Sequence, residues 1–525
     1  MGPMITRVGS WEVRSVGEVA LLVDAHEVEP ARLASALAAG VARGGLVVTD
    51  IVVGAETVLV IVGGPRSRQR IGEVLAAISP VSLDGPDLGT DSEVIEIPVR
   101  YDGADLDDVA RIADRSTAEV VALHSSGTYK VAFVGFAPGF AYLTGLPPAL
   151  HVSRLSQPRP VVPAGSVAIA DTYSAVYPRS SPGGWRLLGT SPAVLFDVER
   201  RPAAVLGPGA VVRFVETARA RTGRAGPPDP QAVAPGGSVG PALEVIDAGT
   251  LTTIQDQGRA GHAGEGVPPS GAADGASARL ANRLVGNNED TAVLETTLSG
   301  PTLRLRGPAG SRRAVAVTGA VGPITAGGVG QGANAPFDLV AGDIVALAPV
   351  DCGLRSYLAI SGGVDVEPVL GSRSSDVLSG LGPPALGAGQ MLSLGPDAGR
   401  RAGVDVAPVA SPGRPAFLRV GPGPRSDWLT EEARVQLRSA TWTVVATSNR
   451  IGVRLEGPVL ARTHEGELAP EGLVTGAVQL TPADELVVFL KDHPVTGGYP
   501  VIGVVHSADL GIVAQLRPGE AVQLL

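Results

Sequence analysis

Leu206-Gly207-Pro208-Gly209-Ala210-Val211-Val212-Arg213-Phe214 and Leu516-Arg517-Pro518-Gly519-Glu520-Ala521-Val522-Gln523-Leu524 follow one pattern: a Pro-Gly turn, then apolar residues at alternate positions. A period of two marks a half-buried strand, and the Pro-Gly pair supplies the turn that feeds it. Working backwards, Gly183-Gly184-Trp185 parallels Gly497-Gly498-Tyr499, and Gly165-Ser166-Val167-Ala168-Ile169 parallels Gly476-Ala477-Val478-Gln479-Leu480, with separations of 18 and 21 residues between the first glycines. The same strand-turn-strand recurs at residues 339–347 (LVAGDIVAL) and 386–394 (LGAGQMLSL). Short strands repeated in this way predict closed β-barrels, since closure removes sticky edges.

Working outward, Gly (70) and Pro (44) are in excess while only 18% of the 525 residues are charged, which favours many turns between short strands over long helices. Residues 217–241 hold Gly and Pro without apolar periodicity and read as a linker. Residues 1–90 alternate apolar strands (19–23, 45–53, 57–62) with helix-like stretches (30–41, 67–78), a small α+β domain. A barrel is expected over 91–216, a first β module of the second half over 242–410, and a second β module closing the barrel over 411–525. The fold class is therefore mainly β with α+β: barrels in both halves plus a small N-terminal α+β domain.

The net charge of −10 and the absence of Lys/Arg runs argue against nucleic acid and anionic membranes as partners. One cysteine, Cys352, excludes a disulfide framework and a thiolate zinc cluster. No stretch reaches the ~20 apolar residues of a membrane helix, and the start carries no signal-peptide pattern. A cytoplasmic location is expected.

The segment VAFVGFAPGFAYLTGLPPAL (131–150), then RPVVPAGSVAIA (159–170) and YPxxSPGGWRLLG (177–189), strongly resembles the B-type subunit of bacterial 5-oxoprolinase, also known as allophanate hydrolase subunit 1 or a kinase inhibitor. The second half is similar to the C-type subunit, allophanate hydrolase subunit 2, through AGxxTTIQDxGR (248–259), VPxSGAxD (267–274), LANRLVGN (280–287), LExTLxGP (294–301 as Leu294-Glu295-x-Thr297-Leu298-x-Gly300-Pro301), VLGSRSSD (369–376), NRxGxRLxG (449–457) and TGGYP (496–500). The chain thus resembles a natural B–C fusion. The resemblance implies cyclophilin-like β-barrels in both halves, and it extends to the carboxyltransferase region of biotin-dependent urea carboxylase.

Candidate site residues follow from their chemistry. Arg259 sits on a turn after an apolar strand and could present a guanidinium to a carboxylate or phosphoryl group. Asn282 lies inside a helix where Asn is unfavourable, and Asn287 reads either as a ligand contact or as a helix C-cap. Glu295, in an apolar strand, is a carboxylate whose pKa burial could raise for proton transfer, or a satisfied structural Glu. Arg450 and Arg454 lie four apart around Gly452, a spacing suited to an anion. Lys491-Asp492-His493 delivers three ionisable groups to the turn Gly497-Gly498-Tyr499, with Asp492 the leading general acid/base. In the first half His124 and Lys130 bracket the start of the 131–150 segment, while Arg179 and Arg186 flank the Gly183-Gly184 turn. Pro138-Gly139 suggests a backbone loop approached closely by ligand, and Pro163 and Gly165 complete that first-half set.

Absences narrow the chemistry. The only lysines are Lys130 and Lys491, so no GxxxxGK[ST] loop is hidden, and neither lysine stands between methionines as a biotin attachment lysine does. The seven histidines form no metal-binding spacing, and no metal site is expected. What the resemblance implies is ATP-dependent opening of a small cyclic amide, 5-oxo-L-proline, with a separate A-type subunit and ATP with Mg as cofactors. A carboxyltransferase component of a urea-type system, and a histidine-kinase-binding inhibitor, are the alternatives; homo-oligomerisation is left open.

Overall fold

The computed structural model describes residues 5–83, 94–218, 240–399, 401–409, 413 and 415–525. Apart from its ends, the linker expected at 217–241 lies outside the described residues.

The two Pro-Gly turns and the strands they feed are the keystones of two barrels with one topology. In the first half the strands run, across the sheet, Arg186–Thr190, Ser166–Ala170, Tyr173–Val176, Ala141–Thr144, Tyr129–Val134, Val211–Glu216, Ile95–Val99. At the C-terminus the order Val501–Val505, Ala477–Leu480, Leu486–Phe489, Gly452–Glu456, Thr441–Val444, Ala521–Leu524, Ala416–Leu418 repeats it strand for strand. In each barrel the strand after the Pro-Gly turn pairs in parallel with the first strand, Phe214 opposite Ile97 and Leu524 opposite Leu418. The turns need a left-handed residue, and Gly209 (φ +88°) and Gly519 (φ +83°) supply it without a Cβ penalty.

Both barrels close by letting the first strand change partner. Arg100, just beyond Ile95–Val99, exchanges two 2.8 Å backbone hydrogen bonds with Thr190. At the C-terminus the strand bends at Arg419, held by its backbone N–H and guanidinium on Asp509, and continues as Val420–Pro422 against Val501–Val505. The second barrel is therefore complete within 416–525 rather than closing around 242–399.

Residues 242–399 instead form two stacked sheets of six and five strands whose facing residues, among them Leu243, Leu303, Val345, Leu294, Val317 and Leu358, share one core. The helix Gly275–Leu284, capped by Asp274, covers the outer face of the five-stranded sheet through Ala278, Ala281 and Leu284.

The N-terminal domain is a five-stranded antiparallel sheet, order Ile5–Val8, Trp11–Val16, Ala20–Asp24, Thr57–Val62, Val48–Val53, with helices Pro30–Gly44 and Pro65–Ala76. Each helix begins with Pro, whose missing N–H costs nothing in the first turn. One face packs on those helices and on Phe133 of the first barrel. The other face, with Val16, Leu22 and Leu59, packs on Leu473, Val487, Phe489 and Val504 of the C-terminal barrel. Burial on both faces explains the unbroken apolar run Thr57–Val62. The domain is the mortar between two barrels.

Candidate functional site

A chain of buried charge runs through the second half. Asp492, fully buried, accepts from Arg450 Nε (2.9 Å) and Nη2 (3.0 Å), from Ser270 Oγ (2.9 Å) and from Val377 N (3.0 Å). Arg450 continues through Nη1 to Glu295, whose other oxygen accepts from Ala273 N (2.8 Å), and Arg355 Nε lies 3.6 Å from Glu295. Strand register brings these together: Glu295 lies opposite Tyr357 on the strand that carries Arg355.

This geometry changes two expectations. Burial alone would raise the Glu295 carboxyl, but Arg450, Arg355 and the Ala273 N–H together hold it below the usual carboxylate range, so it is not a raised proton donor. Asp492 spends four hydrogen bonds on Arg450, Ser270 and Val377, which makes it an anchor rather than a free acid/base.

Within this cluster it is Asp376 whose carboxyl is raised, pushed up to about 6 by desolvation and by the charge of Asp492. Its oxygens accept from Leu378 N, Ser379 N (2.9 Å each) and Ser379 Oγ (2.5 Å). Arg259 faces the same loop, donating from Nε to Val369 O (3.3 Å) and from Nη2 to Ser374 O. Its Nη1 is buried without a hydrogen-bond partner among the described residues. Asp256 of the same motif ties the loop, accepting from Gly258 N, Ser372 Oγ, Ser374 Oγ and Arg373 N. Lys491 makes no ion pair or hydrogen bond through its ammonium among the described residues, and burial with the charges of Arg279 and Arg450 lowers its pKa. His493, pushed down to about 4 by burial, is neutral and holds Pro494 O (2.8 Å).

The first half reaches this cluster along one edge. Arg179 donates to Leu378 O (2.8 Å), beside Asp376. Gly139 N donates to Glu265 O (2.9 Å), and Gly135 lies so close to Thr496 that a Cβ there would stand 1.7 Å from its Oγ1. The 131–150 segment of the first half and the 496–500 turn of the second, quoted above as separate motifs, face each other. Phe136 (φ +62°) and Ser270 (φ +50°) both hold left-handed backbone at this seam, a strain that clusters at functional sites.

Other expected residues have structural duties. Asn282 donates to Thr291 O (2.7 Å) and Asn287 bridges Asn282 Oδ1, Ile360 O and Gly362 N, so both stitch the helix to its neighbours and neither is free for ligand. Arg454 pairs with Glu485 (2.9 Å) at the surface and shares no anion site with buried Arg450. Gly497 pairs with Glu471, Gly498 O accepts from Leu468 N, and Tyr499 O accepts from Gln479 Nε2. His124, between Tyr101 OH (2.8 Å) and Ser174 Oγ (2.9 Å), is pushed down to about 3 by burial and is a neutral core residue. Lys130 pairs with Glu29 (2.7 Å) of the N-terminal domain. The Pro138-Gly139 loop is approached closely by Phe196 and Leu195 of the same chain, leaving no room for a ligand at Gly139. Pro163 O accepts from Ser166 Oγ, a Cβ at Gly165 would meet Ser191 O and one at Gly183 Tyr177 Oη, Gly184 O accepts from Leu155 N, and Arg186 donates to Ser153 O.

Sequence reasoning misses Ser270, Arg355 and Asp376 as site residues. The signal that carries two of them is the pair of short polar runs, Ser270-Gly271 and Ser372-Arg373-Ser374-Ser375-Asp376, whose serines and aspartate are all buried. No helix among the described residues is long and apolar enough to cross a membrane.

Comparison with known proteins agrees with both halves. The family model "Carboxyltransferase domain, subdomain C and D" matches residues 11–206, and "Carboxyltransferase domain, subdomain A and B" matches residues 265–525. The second half is 33% identical over 286 residues to the C-type subunit of 5-oxoprolinase from Escherichia coli (strain K12), covering 54% of this chain and 90% of that protein. The first half is 41% identical over 179 residues to the B-type subunit of 5-oxoprolinase from Escherichia coli O157:H7, covering 32% of this chain and 78% of that protein. The crystal structure of TTHA0988 superposes with a TM-score of 0.84 at 34% identity, covering 96% of this chain and 99% of that one. With B-like and C-like halves following one another in a single polypeptide, the chain belongs to the carboxyltransferase-domain family that includes the B and C subunits of 5-oxoprolinase.

Proposed function

We propose that this chain supplies the B and C components of an ATP-dependent 5-oxoprolinase and acts with a separate A-type subunit to open 5-oxo-L-proline to L-glutamate. The observation that carries this reading is that two halves, each similar to a 5-oxoprolinase component, meet at one cluster of buried charge. A lactam carbon is a poor electrophile. Transfer of a phosphoryl group from ATP to the amide oxygen, with release of ADP, makes it open to water; the C–N bond then breaks, the nitrogen takes a proton, and phosphate leaves.

The residues present fit an anionic group at this seam. Arg259 Nη1 and the Lys491 ammonium, neither with a hydrogen-bond partner among the described residues, would hold phosphoryl oxygens and stabilise developing charge. Asp376, near about 6, suits proton transfer from water at neutral pH. Magnesium would enter with the ATP phosphates, which supply most of its oxygen ligands.

The test is to mix the purified chain with its A-type subunit, ATP and 5-oxoproline. ADP and glutamate are expected in equal amounts, and a mixture releasing neither removes the proposal. The family models' own description favours a second reading, a carboxyltransferase that takes carboxyl from a separate carboxybiotin carrier to a urea-type amide. A copurifying biotinylated protein, or carboxylation that depends on one, would select it.

A further inference from the structure

The buried Arg259 guanidinium owes its place to the main chain that carries it. Among the described residues its hydrogen bonds go to two carbonyl oxygens, Val369 O (3.3 Å) and Ser374 O, not to a carboxylate fork that would fix its plane. On the N-terminal side that main chain is held by Gly258 N on Asp256 Oδ1 (2.8 Å) and by Arg259 N on Pro269 O (2.7 Å). On the C-terminal side runs Ala260-Gly261-His262-Ala263-Gly264-Glu265-Gly266, with left-handed backbone at Gly261 (φ +87°) and Gly266 (φ +77°). A segment so rich in glycine has much conformational freedom to lose. What holds it from outside therefore decides where Arg259 stands.

The outside hold comes from the first half. Asp50 accepts from Gly261 N through Oδ2 (3.0 Å) and from Ala263 N through Oδ1 (2.9 Å). It lies on Val48–Val53, at the edge of the N-terminal sheet, and one extra residue between Val48 and Asp50 shifts the register against Thr57–Val62. Such bulges re-aim side chains at sheet edges. The loop lies along that strand, where a Cβ at Gly264 would stand 3.6 Å from Ile51 O. Glu265 adds two ties to the first barrel, Oε2 accepting from Ala204 N (2.9 Å) and O from Gly139 N (2.9 Å). His262 meets Glu265 Oε1 (3.0 Å), and its charge also acts on Asp50.

A carboxylate is a costly anchor here. Burial raises the Asp50 pKa against the pull of both N–H groups and of His262, and a neutral acceptor would meet one N–H at a lower desolvation cost. What the carboxylate adds is two charge-assisted bonds that fix two points of the loop at once.

We propose that Asp50 is a positioning residue for Arg259, so that the N-terminal domain of the B-like half places the guanidinium with which the C-like half meets an anionic group. The inference rests on the 5-oxoprolinase reading for what Arg259 does, and on the loop itself for how Arg259 is held.

Hydrogen exchange and steady-state kinetics test it together. In Asp50→Ala, amides of peptides spanning Gly261–Val267 should exchange about tenfold faster or more, the scale of a lost hydrogen bond to a charged group, while those of the neighbouring strand Leu251–Gln255 keep their rates. Asp50→Asn, which retains one acceptor oxygen, should show a smaller rise and serves if the alanine variant does not fold. With the A-type subunit, ATP and 5-oxoproline, Asp50→Ala should lower kcat about tenfold with KM changed less than about threefold, because a misplaced Arg259 fails the charge that develops in the reaction. Added to Arg259→Gln, the same substitution should lower kcat less than about twofold further, since residues acting through one group are not additive. A merely structural Asp50 would cost as much with Arg259 as without it. Unchanged exchange at Gly261–Val267, an unchanged kcat, or the full tenfold cost in the Arg259→Gln background would each overturn the proposal. A wild-type pair that releases neither ADP nor glutamate removes the 5-oxoprolinase reading instead, and the exchange result then decides the positioning role.

Discussion

Arg450 is the most exacting point at which to test the buried charge chain. Its guanidinium is 2% exposed and binds Asp492 through Nε and Nη2, Glu295 through Nη1, and Gly271 O (2.8 Å) through Nη2. Arg450→Met keeps the length of the side chain and removes the charge, leaving two carboxylates buried with only neutral donors on Asp492 and Arg355 at 3.6 Å from Glu295. Breaking a buried pair from one side costs about 3–5 kcal/mol, and the remaining partners keep the loss within that range rather than doubling it. Urea unfolding followed by circular dichroism at pH 7.5 should show this loss as a lower midpoint at unchanged slope. The loss should also shrink at acidic pH. In the wild type Glu295 is held below the usual carboxylate range, so its contribution is present above the unfolded pKa and fades as pH falls through the folded one. Without Arg450, burial, the largest single influence on Glu295, raises its pKa. The variant then gains a stabilising proton on acidification and closes part of the gap. A loss under about 1 kcal/mol, the size of an exposed pair, or a gap that does not change with pH, would refute this account of the site.

Three further outcomes follow from the same geometry. Gly135→Ala should destabilise the chain by about 1–3 kcal/mol by driving a Cβ into Thr496, and Thr496→Gly in the same chain should recover most of the lost urea midpoint. His124, neutral in the fold down to about 3 against 6.5 when free, contributes stability that is complete above 6.5 and is lost as pH falls; His124→Gln should remove about 1.4 kcal/mol per pH unit from the acid-side decline between 6 and 4, read from urea midpoints. A protease site placed within 219–239 and cut should leave the two halves co-eluting in gel filtration at micromolar concentration, because the N-terminal sheet, Asp50 on Gly261 N (3.0 Å) and Ala263 N (2.9 Å), and Arg179 on Leu378 O all bridge them; separate peaks would contradict that.

What could be read in the sequence was what is local. The closing strands at 211 and 521 were legible because a Pro-Gly turn with a left-handed glycine and a period of two are properties of neighbouring residues. Their parallel pairing with Ile95–Val99 and Ala416–Leu418 was not, since it joins residues at opposite ends of each barrel. The role of the N-terminal domain was hidden for the same reason: the unbroken apolar run Thr57–Val62 implies burial on both faces but not that Val487 and Phe489 cover one of them. The site divides along a finer line. Arg259, Glu295, Arg450 and Lys491-Asp492 stand out as charges in apolar surroundings, and so do Asn282, Asn287 and His124. A polar residue that satisfies an orphaned carbonyl leaves the same trace in a sequence as one that waits for a ligand. Only the count of partners separates them: Asn287 spends its amide on Asn282, Ile360 and Gly362, whereas Arg259 Nη1 and the Lys491 ammonium spend nothing among the described residues. The Arg259 charge acts on the Asp376 carboxyl, pushed up to about 6, and Arg179 of the first half donates to Leu378 O beside it, so the loop that carries this carboxyl is held from both halves and its charge balance depends on their staying together.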